Sequence, residues 1–252
     1  MSAETVCIIN SIPKSGTYFT GALLDQAGLR STGYHLRNQH YWDWTRAGSL
    51  EEIIRDPQAF RSSSTLAETH SLIGAGYTYA HLDHTAEAIQ HLAAVPALRH
   101  LFLIRDLRAC LLSSMRFAEQ RQQAQSPATP RPPLSPERFC GFLETACKPF
   151  MDGAARQIGW KDHPGVGVFR FEDLVEAPDP ALRAESCRRL LEFCGIAVAD
   201  ALGIADRAIA TPTRTFSGSL SDWRSVWNAA AQEQFVAAGG PALNSALGYG
   251  HD

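Results

Sequence analysis

The seven residues from Pro13 to Phe19, PKSGTYF, place one lysine, one glycine and two aliphatic hydroxyls next to one another. An apolar run, Thr5 to Ser11, precedes them and predicts a buried parallel strand, while Gly16 to Ala27 has helical spacing. A loop between a strand and a helix points backbone N–H groups at its ligand, and the helix N-terminus favours an anion. Gly16 allows close approach of the backbone, and Lys14 adds a mobile charge. This combination predicts a site for a phosphate-like anion.

The order of residues in this loop differs from that of the loop that binds nucleoside triphosphates. In the pattern G-x-x-x-x-G-K-[ST] the lysine follows the last glycine, and the hydroxyl after it holds Mg²⁺. Here Lys14 precedes Gly16, although Ser15 does follow Lys14. A P-loop-like kinase or nucleotidase therefore stays open as one alternative. The sequence has no dense cluster of Asp and His, so we expect no metal.

A second candidate anion site lies at the end of the clearest strand in the sequence, LRHLFLIRD. Arg105 ends this predicted strand, and Ser113 follows eight residues later, about two turns up the next predicted helix. Ligands of open α/β sheets bind at the carboxyl ends of strands, so Arg105 and Ser113 are suited to a terminal phosphate. Two other roles stay open: an ion pair of Arg105 with Asp106 or a neighbour, and a plain surface position for Ser113.

Two further stretches carry little information on their own. The first, VFRFEDL at residues 168–174, reads as a strand that is followed by two acids and a helical turn. The second, TFSGSLSDWRSVW at residues 215–227, is a polar loop. It is suited either to fold over a bound nucleotide or to lie on the surface.

Taken in order, the four stretches resemble the PAPS-dependent sulfotransferase family, where PAPS is 3′-phosphoadenosine 5′-phosphosulfate. PKSGTYF resembles that family's 5′-phosphosulfate loop, P-K-S/A-G-T-T-W/F, and RDLRACLLSS resembles its 3′-phosphate signature. FEDL resembles the family's Y-E-D-L, GSLSDWR its C-terminal G-x-x-G-D-W-K/R loop, and ALGYG its usual terminal L-G-Y. The resemblance spans the chain from Val6 to Gly250.

This resemblance implies a sulfotransferase that moves a sulfuryl group from PAPS to a hydroxyl by in-line displacement and releases PAP, the desulfonated product. It also implies a set of cofactor contacts, in which Phe19 would stack on adenine while Arg105 and Ser113 would hold the 3′-phosphate. The whole implied set is Lys14, Ser15, Gly16, Thr17, Tyr18, Phe19, Arg105, Ser113, Phe171, Arg214, Phe216, Ser217 and Gly218.

The sequence departs from the family pattern at the 3′-phosphate end. Phe171 stands where the family has the tyrosine of Y-E-D-L, so a hydroxyl is missing. Phe216 and Ser217 stand where an arginine and a lysine often grip the 3′-phosphate, and Ser221 replaces the second glycine of the loop. Arg214 is a candidate replacement for the missing cations. A non-catalytic nucleotide-binding protein of the same fold is therefore a second alternative.

The resemblance also narrows the search for a catalytic base. In the family a histidine commonly ends the strand before the helix that leads to the 3′-phosphate strand, and His81 in TYAHLDH matches that place. Tyr79 stands where the small-molecule branch often has a lysine. Carbohydrate branches often use a glutamate, so Glu68 or His70 in LAETH stays open as the base. Lys14 would be the catalytic cation beside the leaving oxygen.

The acceptor is not specified by any motif, and a small molecule, a lipid or a carbohydrate are all compatible with the sequence. Its expected walls are Tyr34 to Trp44, which reads as an irregular aromatic loop, the proline-rich loop from Gln122 to Ser135, and the helix beyond that loop. The oligomeric state stays open.

Strands alternate with helices along all 252 residues, which predicts one α/β domain, residues 1–252, with a mostly parallel sheet flanked by helices. The net charge of −3 lacks the basic surplus of a nucleic-acid-binding protein, so we expect no nucleic acid partner. No signal segment or transmembrane segment is evident, so we expect a cytoplasmic protein. The six cysteines form no C-x-x-C pair and are expected to be reduced and mostly buried.

Overall fold

The computed structural model describes residues 5–126, 132–213 and 222–250. Its centre is a seven-stranded sheet with the strand order β4-β3-β2-β5-β1-β6-β7. The strands are β1 (Val6–Ser11), β2 (Ser31–Leu36), β3 (His40–Asp43), β4 (Arg61–Ser63), β5 (Gly76–Ala80), β6 (Leu98–Ile104) and β7 (Val166–Arg170).

Five neighbouring strands, β2, β5, β1, β6 and β7, run parallel, which confirms the predicted mostly parallel sheet. Strand β1 lies at the centre and pairs with β5 and β6 from its first residue, Val6, onward. Its residues from Cys7 to Ser11 are all fully buried, since helices cover both faces of the sheet. The continuous apolar run in the sequence reflects this two-sided burial.

The stretch from Tyr34 to Trp44 is not the irregular loop that its composition predicted. Residues Tyr34 to Leu36 belong to β2, and they pair antiparallel with residues 41–43 of β3. The turn between the two strands is closed where Arg37 N–H donates to the His40 carbonyl at 2.8 Å. Aromatic side chains are favoured in strands, but pairing of β2 with the distant strand β5 supplies the stabilisation.

Ten α-helices occur in the described ranges. They are α1 (Thr17–Gln26), α2 (Leu50–Arg55), α3 (Leu66–Ser71), α4 (Ala86–Ala93), α5 (Leu107–Gln125), α6 (Pro136–Gln157), α7 (Pro180–Phe193), α8 (Ala201–Ala210), α9 (Ala229–Ala237) and α10 (Gly240–Ala246). Helix α5 thus continues to Gln125, beyond the start predicted for the proline-rich loop. No helix among these is both long and apolar enough to cross a membrane.

The sheet carries one apolar core on each face. Phe102 packs on one face with Phe139 of α6 and Trp160, whereas Leu101 packs on the other with Leu23 of α1 and Leu190 of α7. Successive residues of a strand point to opposite faces, so β6 serves both cores. Burial of one such large side chain stabilises the fold by roughly 1.5–3 kcal/mol. The two cores share a single sheet, which makes one α/β domain.

The cysteines contribute to these cores as free thiols, as their spacing predicted. Five of the six are buried, and Cys140 is partly exposed.

Candidate active site

A cavity of about 350 Å³ lies where the parallel strands end. Its lining includes Lys14 and Gly16 from the loop after β1, Arg105 after β6, Ser113 two turns up α5, and His81 after β5. These residues are up to about 100 positions apart in the sequence, and the carboxyl ends of adjacent strands bring them together. The two candidate anion sites and the candidate base therefore share one cavity.

The loop after β1 has an unusual backbone in which two residues have positive φ. Lys14 has φ 72° and Gly16 has φ 95°, and Gly16 caps α1 in the left-handed region. A β-carbon at Gly16 would lie 2.4 Å from the Phe171 ring. The position therefore needs glycine both for its conformation and for the close approach of Phe171.

Lys14 carries a buried ammonium group with no hydrogen-bond partner among the described residues. Its Nζ lies 4.0 Å from the centre of the Phe117 ring. Burial is the main reason that the pKa of Lys14 falls to about 7, and the nearby charge of Arg105 lowers it further. A buried cation without an anion is costly, so this group favours a negatively charged ligand.

Arg105 is buried and lies between an acid and an aromatic ring. Its Nη2 donates to Glu176 Oε1 at 2.6 Å, and its guanidinium lies 4.0 Å above the centre of the Phe171 ring. The pair is with Glu176 and not with Asp106, whose carboxylate binds Arg108. Arg105 Nε is buried and has no acceptor among the described residues. A further oxyanion is therefore the natural partner for this unpaired N–H.

The hydroxyls of the loop have different surroundings. Ser15 is fully buried, its Oγ lies 3.5 Å from Cys110 Sγ, and it is not part of the cavity lining that the structure describes. Thr17 does line the cavity, and its Oγ1 lies 2.7 Å from Ser11 Oγ. Ser11 Oγ in turn lies 3.1 Å from His81 Nδ1. A buried polar chain thus connects the loop to His81.

His81 is held in one orientation with one ring nitrogen left for a ligand. Its Nδ1 lies 2.8 Å from the Ser11 carbonyl oxygen, which can only accept, so Nδ1 carries the proton. In the neutral ring Nε2 is then the unprotonated nitrogen. Burial, followed by the charge of Arg37, lowers the pKa of His81 to about 3. The imidazole is therefore neutral at physiological pH and can accept a proton at Nε2.

The other two candidate bases lie elsewhere. Glu68 is on the surface, where it accepts hydrogen bonds from Thr65 in the capping box of α3. His70 is buried against His91, with ring centroids 5.5 Å apart. Neither residue belongs to the described lining of the cavity.

The rest of the described lining forms an apolar and aromatic wall. Trp42 and Trp44 stack with ring centroids 6.2 Å apart and an interplanar angle of 12°, and α2 adds Ile53 and Ile54. The aromatic stretch was predicted as a wall, and four of its residues, His35, Arg37, Trp42 and Trp44, line the cavity. The helix after the proline-rich loop, α6, adds none of the described lining residues. Sequence analysis did not assign α2 to the cavity and did not single out Arg37 within the aromatic stretch, because no local motif marks either of them.

The remaining predicted cofactor residues divide into two groups. Tyr18, Phe19 and Phe171 line the cavity, and the rings of Phe19 and Phe171 meet edge to face at 6.5 Å. The predicted Arg214, Phe216, Ser217 and Gly218 lie outside the described residues.

Comparisons with solved structures identify proteins of similar fold. Mouse sulfotransferase SULT7A1 complexed with PAP has a similar structure, with a TM-score of 0.58 and 15% identity over 100% of this chain and 90% of that chain. Retinol dehydratase in complex with androsterone and the inactive cofactor PAP is also similar, with a TM-score of 0.51 and 14% identity over 100% and 83% of the two chains. At these identities the two structures establish a shared fold.

Sequence comparison establishes the family. No curated protein matches the chain. A family model described as the sulfotransferase domain matches residues 4–215, which is most of the sequence. The chain therefore belongs to the sulfotransferase domain family.

Proposed function

We propose that the protein is a PAPS-dependent sulfotransferase that sulfates a hydroxyl of a small-molecule, lipid or carbohydrate acceptor. The observation that carries the proposal is the single cavity that contains Lys14, Arg105, Ser113 and His81. Membership of the sulfotransferase domain family supports it, as do the two similar structures described above, which are complexed with PAP.

The unpartnered donors of the cavity fit the anionic cofactor. The buried Lys14 Nζ and Arg105 Nε have no acceptor among the described residues, which an anionic ligand would supply. In this proposal Lys14, Gly16 and Thr17 hold the 5′ end, while Arg105 and Ser113 hold the 3′-phosphate. Phe19 and Phe171 line the space for the adenine. Ser15 has no contact in this proposal, since its hydroxyl is directed at Cys110 and its N–H donates to the Ile12 carbonyl at 3.2 Å.

In the proposed reaction His81 is the base and Lys14 is the cation beside the leaving oxygen. PAPS supplies the sulfuryl group, whose sulfur–oxygen bond to the 5′-phosphate breaks as a bond to the acceptor oxygen forms. His81 Nε2 takes the proton of the acceptor hydroxyl, while Ser11 keeps Nδ1 oriented. Lys14 balances the negative charge that develops on the leaving oxygen. The aromatic and aliphatic wall excludes water from this step.

The first experiment is a calorimetric titration of the purified protein with PAP and with ADP, which lacks the 3′-phosphate. We expect PAP to bind at least about tenfold more tightly, since charge-assisted hydrogen bonds contribute about 1.5–3 kcal/mol. Arg105→Ala should remove this preference. Arg99→Ala is the matched control, because Arg99 is exposed at the opposite end of the same strand.

Two other outcomes would favour the alternative functions. Equal affinity for PAP and ADP contradicts a 3′-phosphate site and favours the P-loop-like kinase, whose activity would depend on Mg²⁺. PAP binding without turnover of labelled PAPS, over a broad screen of hydroxyl acceptors, favours the non-catalytic protein of the same fold.

The loop geometry leads to a second prediction, the substitution Gly16→Ala. The added methyl group would overlap the Phe171 ring, so we expect PAP affinity to fall by at least about tenfold, or 1.4 kcal/mol. Gly28→Ala is the matched control, because Gly28 has φ 92° but has no atom near its would-be β-carbon. Both variants should lose about 1–2 kcal/mol of stability from backbone strain, measured by urea unfolding. Equal PAP binding by the two variants would contradict the proposed role of the loop.

A further inference from the structure

The cavity contains more positive charge than the proposed cofactor site uses. Its cationic lining residues are Lys14, Arg37, Arg105, Arg116 and Arg121, and no Asp or Glu occurs in the lining that the structure describes. The chain as a whole has a net charge of −3, so this concentration of cations is local. Lys14 and Arg105 are the two cations assigned to PAPS above. Arg116 is paired with Glu119 at 4.0 Å, so the cations that suit the cavity to a second anionic group are Arg37 and Arg121.

Strand order decides where that second group would bind. Residue Leu36 of β2 pairs with Ala80 of β5, and His81 N–H donates to the Leu36 carbonyl at 3.0 Å. Arg37 and His81 are therefore the next residues on two adjacent strands, whose backbones are about 4.8 Å apart. Across the sheet β2 comes first, followed by β5, β1 and β6. Arg37 thus follows the strand on one side of His81, and the cofactor cations follow the strands on the other side.

Arg37 has no anion of its own in the described part of the chain. Its Nε is buried without a hydrogen-bond partner there, and burial lowers the pKa of the guanidinium. The nearby acid, Asp83, is paired with Arg156 at 2.9 Å. A desolvated guanidinium binds an oxyanion strongly, because its donors match both oxygens.

We propose that the acceptor is a hydroxylated organic acid whose carboxylate binds Arg37 while its hydroxyl faces His81. The inference rests on the proposed sulfotransferase function and adds the chemical class of the acceptor. The stacked Trp42 and Trp44 and the aliphatic residue Ile53 of α2 contact the apolar body of this molecule. In this proposal the acceptor is recognised through its free carboxylate and is sulfated at a nearby hydroxyl.

Binding of the acid would also make His81 a stronger base. Two cations face His81, Arg37 from the turn after β2 and Lys14 from the loop after β1. The other groups that face it are the Ser11 carbonyl and the His35 ring, whose centroid lies 4.7 Å from the His81 centroid. The positive charges of Arg37 and Lys14 both lower the pKa of His81. A carboxylate on Arg37 and the cofactor on Lys14 would offset these charges, so the base gains strength when both ligands are present.

The test is a calorimetric titration of the PAP-saturated protein with two hydroxy acids, 4-hydroxyphenylacetate and 10-hydroxydecanoate, and with the amide of each. We expect at least one acid to bind tenfold or more tightly than its own amide. Arg37→Gln should remove that preference and leave PAP affinity unchanged. Arg99→Gln, which changes an exposed arginine at the far end of the sheet, should keep both the preference for the acid and the affinity for PAP.

The outcomes separate this inference from the proposed function. Failure of wild-type protein to bind PAP overturns the sulfotransferase proposal itself. Normal PAP binding without preference for either acid, including no binding of any probe, overturns the acidic acceptor. An equal loss of PAP affinity and acid affinity in a folded Arg37→Gln variant overturns it too, because Arg37 would then belong to the cofactor site.

Discussion

Substitution of His81 with glutamine should lower kcat for sulfuryl transfer from labelled PAPS by about 10²–10⁴-fold, the usual contribution of a positioned base. Glutamine can still donate to the Ser11 carbonyl, but it cannot accept and keep a proton as His81 Nε2 does. PAP affinity should remain unchanged, since His81 is not among the proposed phosphate contacts. The measurement compares kcat with the calorimetric affinity for PAP in the same preparation.

Glu68→Gln is the informative control for this experiment, because Glu68 is the alternative base by sequence and lies on the surface of α3. We expect its kcat to equal that of the wild type. If kcat is unchanged in His81→Gln and falls in Glu68→Gln, Glu68 and not His81 is the base. A joint loss of kcat and PAP affinity in His81→Gln would indicate a structural role for the histidine.

Binding of PAP at pH 8 should take up close to one proton, and Lys14 should be its destination. Burial places the pKa of Lys14 near 7 in the free protein, so most of the molecules carry a neutral Lys14 at pH 8. A bound anion favours the charged amine and raises this pKa again. At pH 6 the amine is already charged, so the uptake should be small and should rise toward pH 8. Calorimetry in two buffers of different ionisation enthalpy measures the proton count.

The substitution Lys14→Met tests whether the proton goes to this group. We expect the proton uptake to vanish and PAP affinity to fall by about 10–100-fold, the equivalent of a charge-assisted contact of 1.5–3 kcal/mol. Arg105→Ala is the matched control: it should weaken PAP binding to a similar extent and retain most of the uptake, because arginine does not titrate. Undiminished uptake in Lys14→Met would contradict the assignment.

Local patterns were sufficient to predict most of the parallel strands. Runs of strand-like residues identified β1, β6 and β7, because buried strands require continuous apolar residues. The same runs located Lys14 and Arg105, since both follow a strand at its carboxyl end. The β2–β3 hairpin was missed because its polar and aromatic sequence has no such run, and its stability depends on pairing with β5.

The motif predicted which residues belong to the candidate site, but it did not predict where their side chains point or which of them is the base. The motif identified Ser15 as a contact, but it carries no information on χ angles, and the tertiary packing directs that hydroxyl to Cys110. It left His81, Glu68 and His70 open as bases. Only the three-dimensional arrangement separates them, since His81 lines the cavity whereas the other two lie outside its described lining.

The sequence by itself determined the fold class, the candidate anion-binding loop and the candidate second cation, because each depends on residues adjacent in the chain. Tertiary structure alone decided the burial that lowers the pKa of Lys14 and the chain of contacts from Thr17 through Ser11 to His81. It also decided that Arg37 neighbours His81. Strand order and desolvation arise from long-range pairing and packing, and no motif of a few residues records either of them.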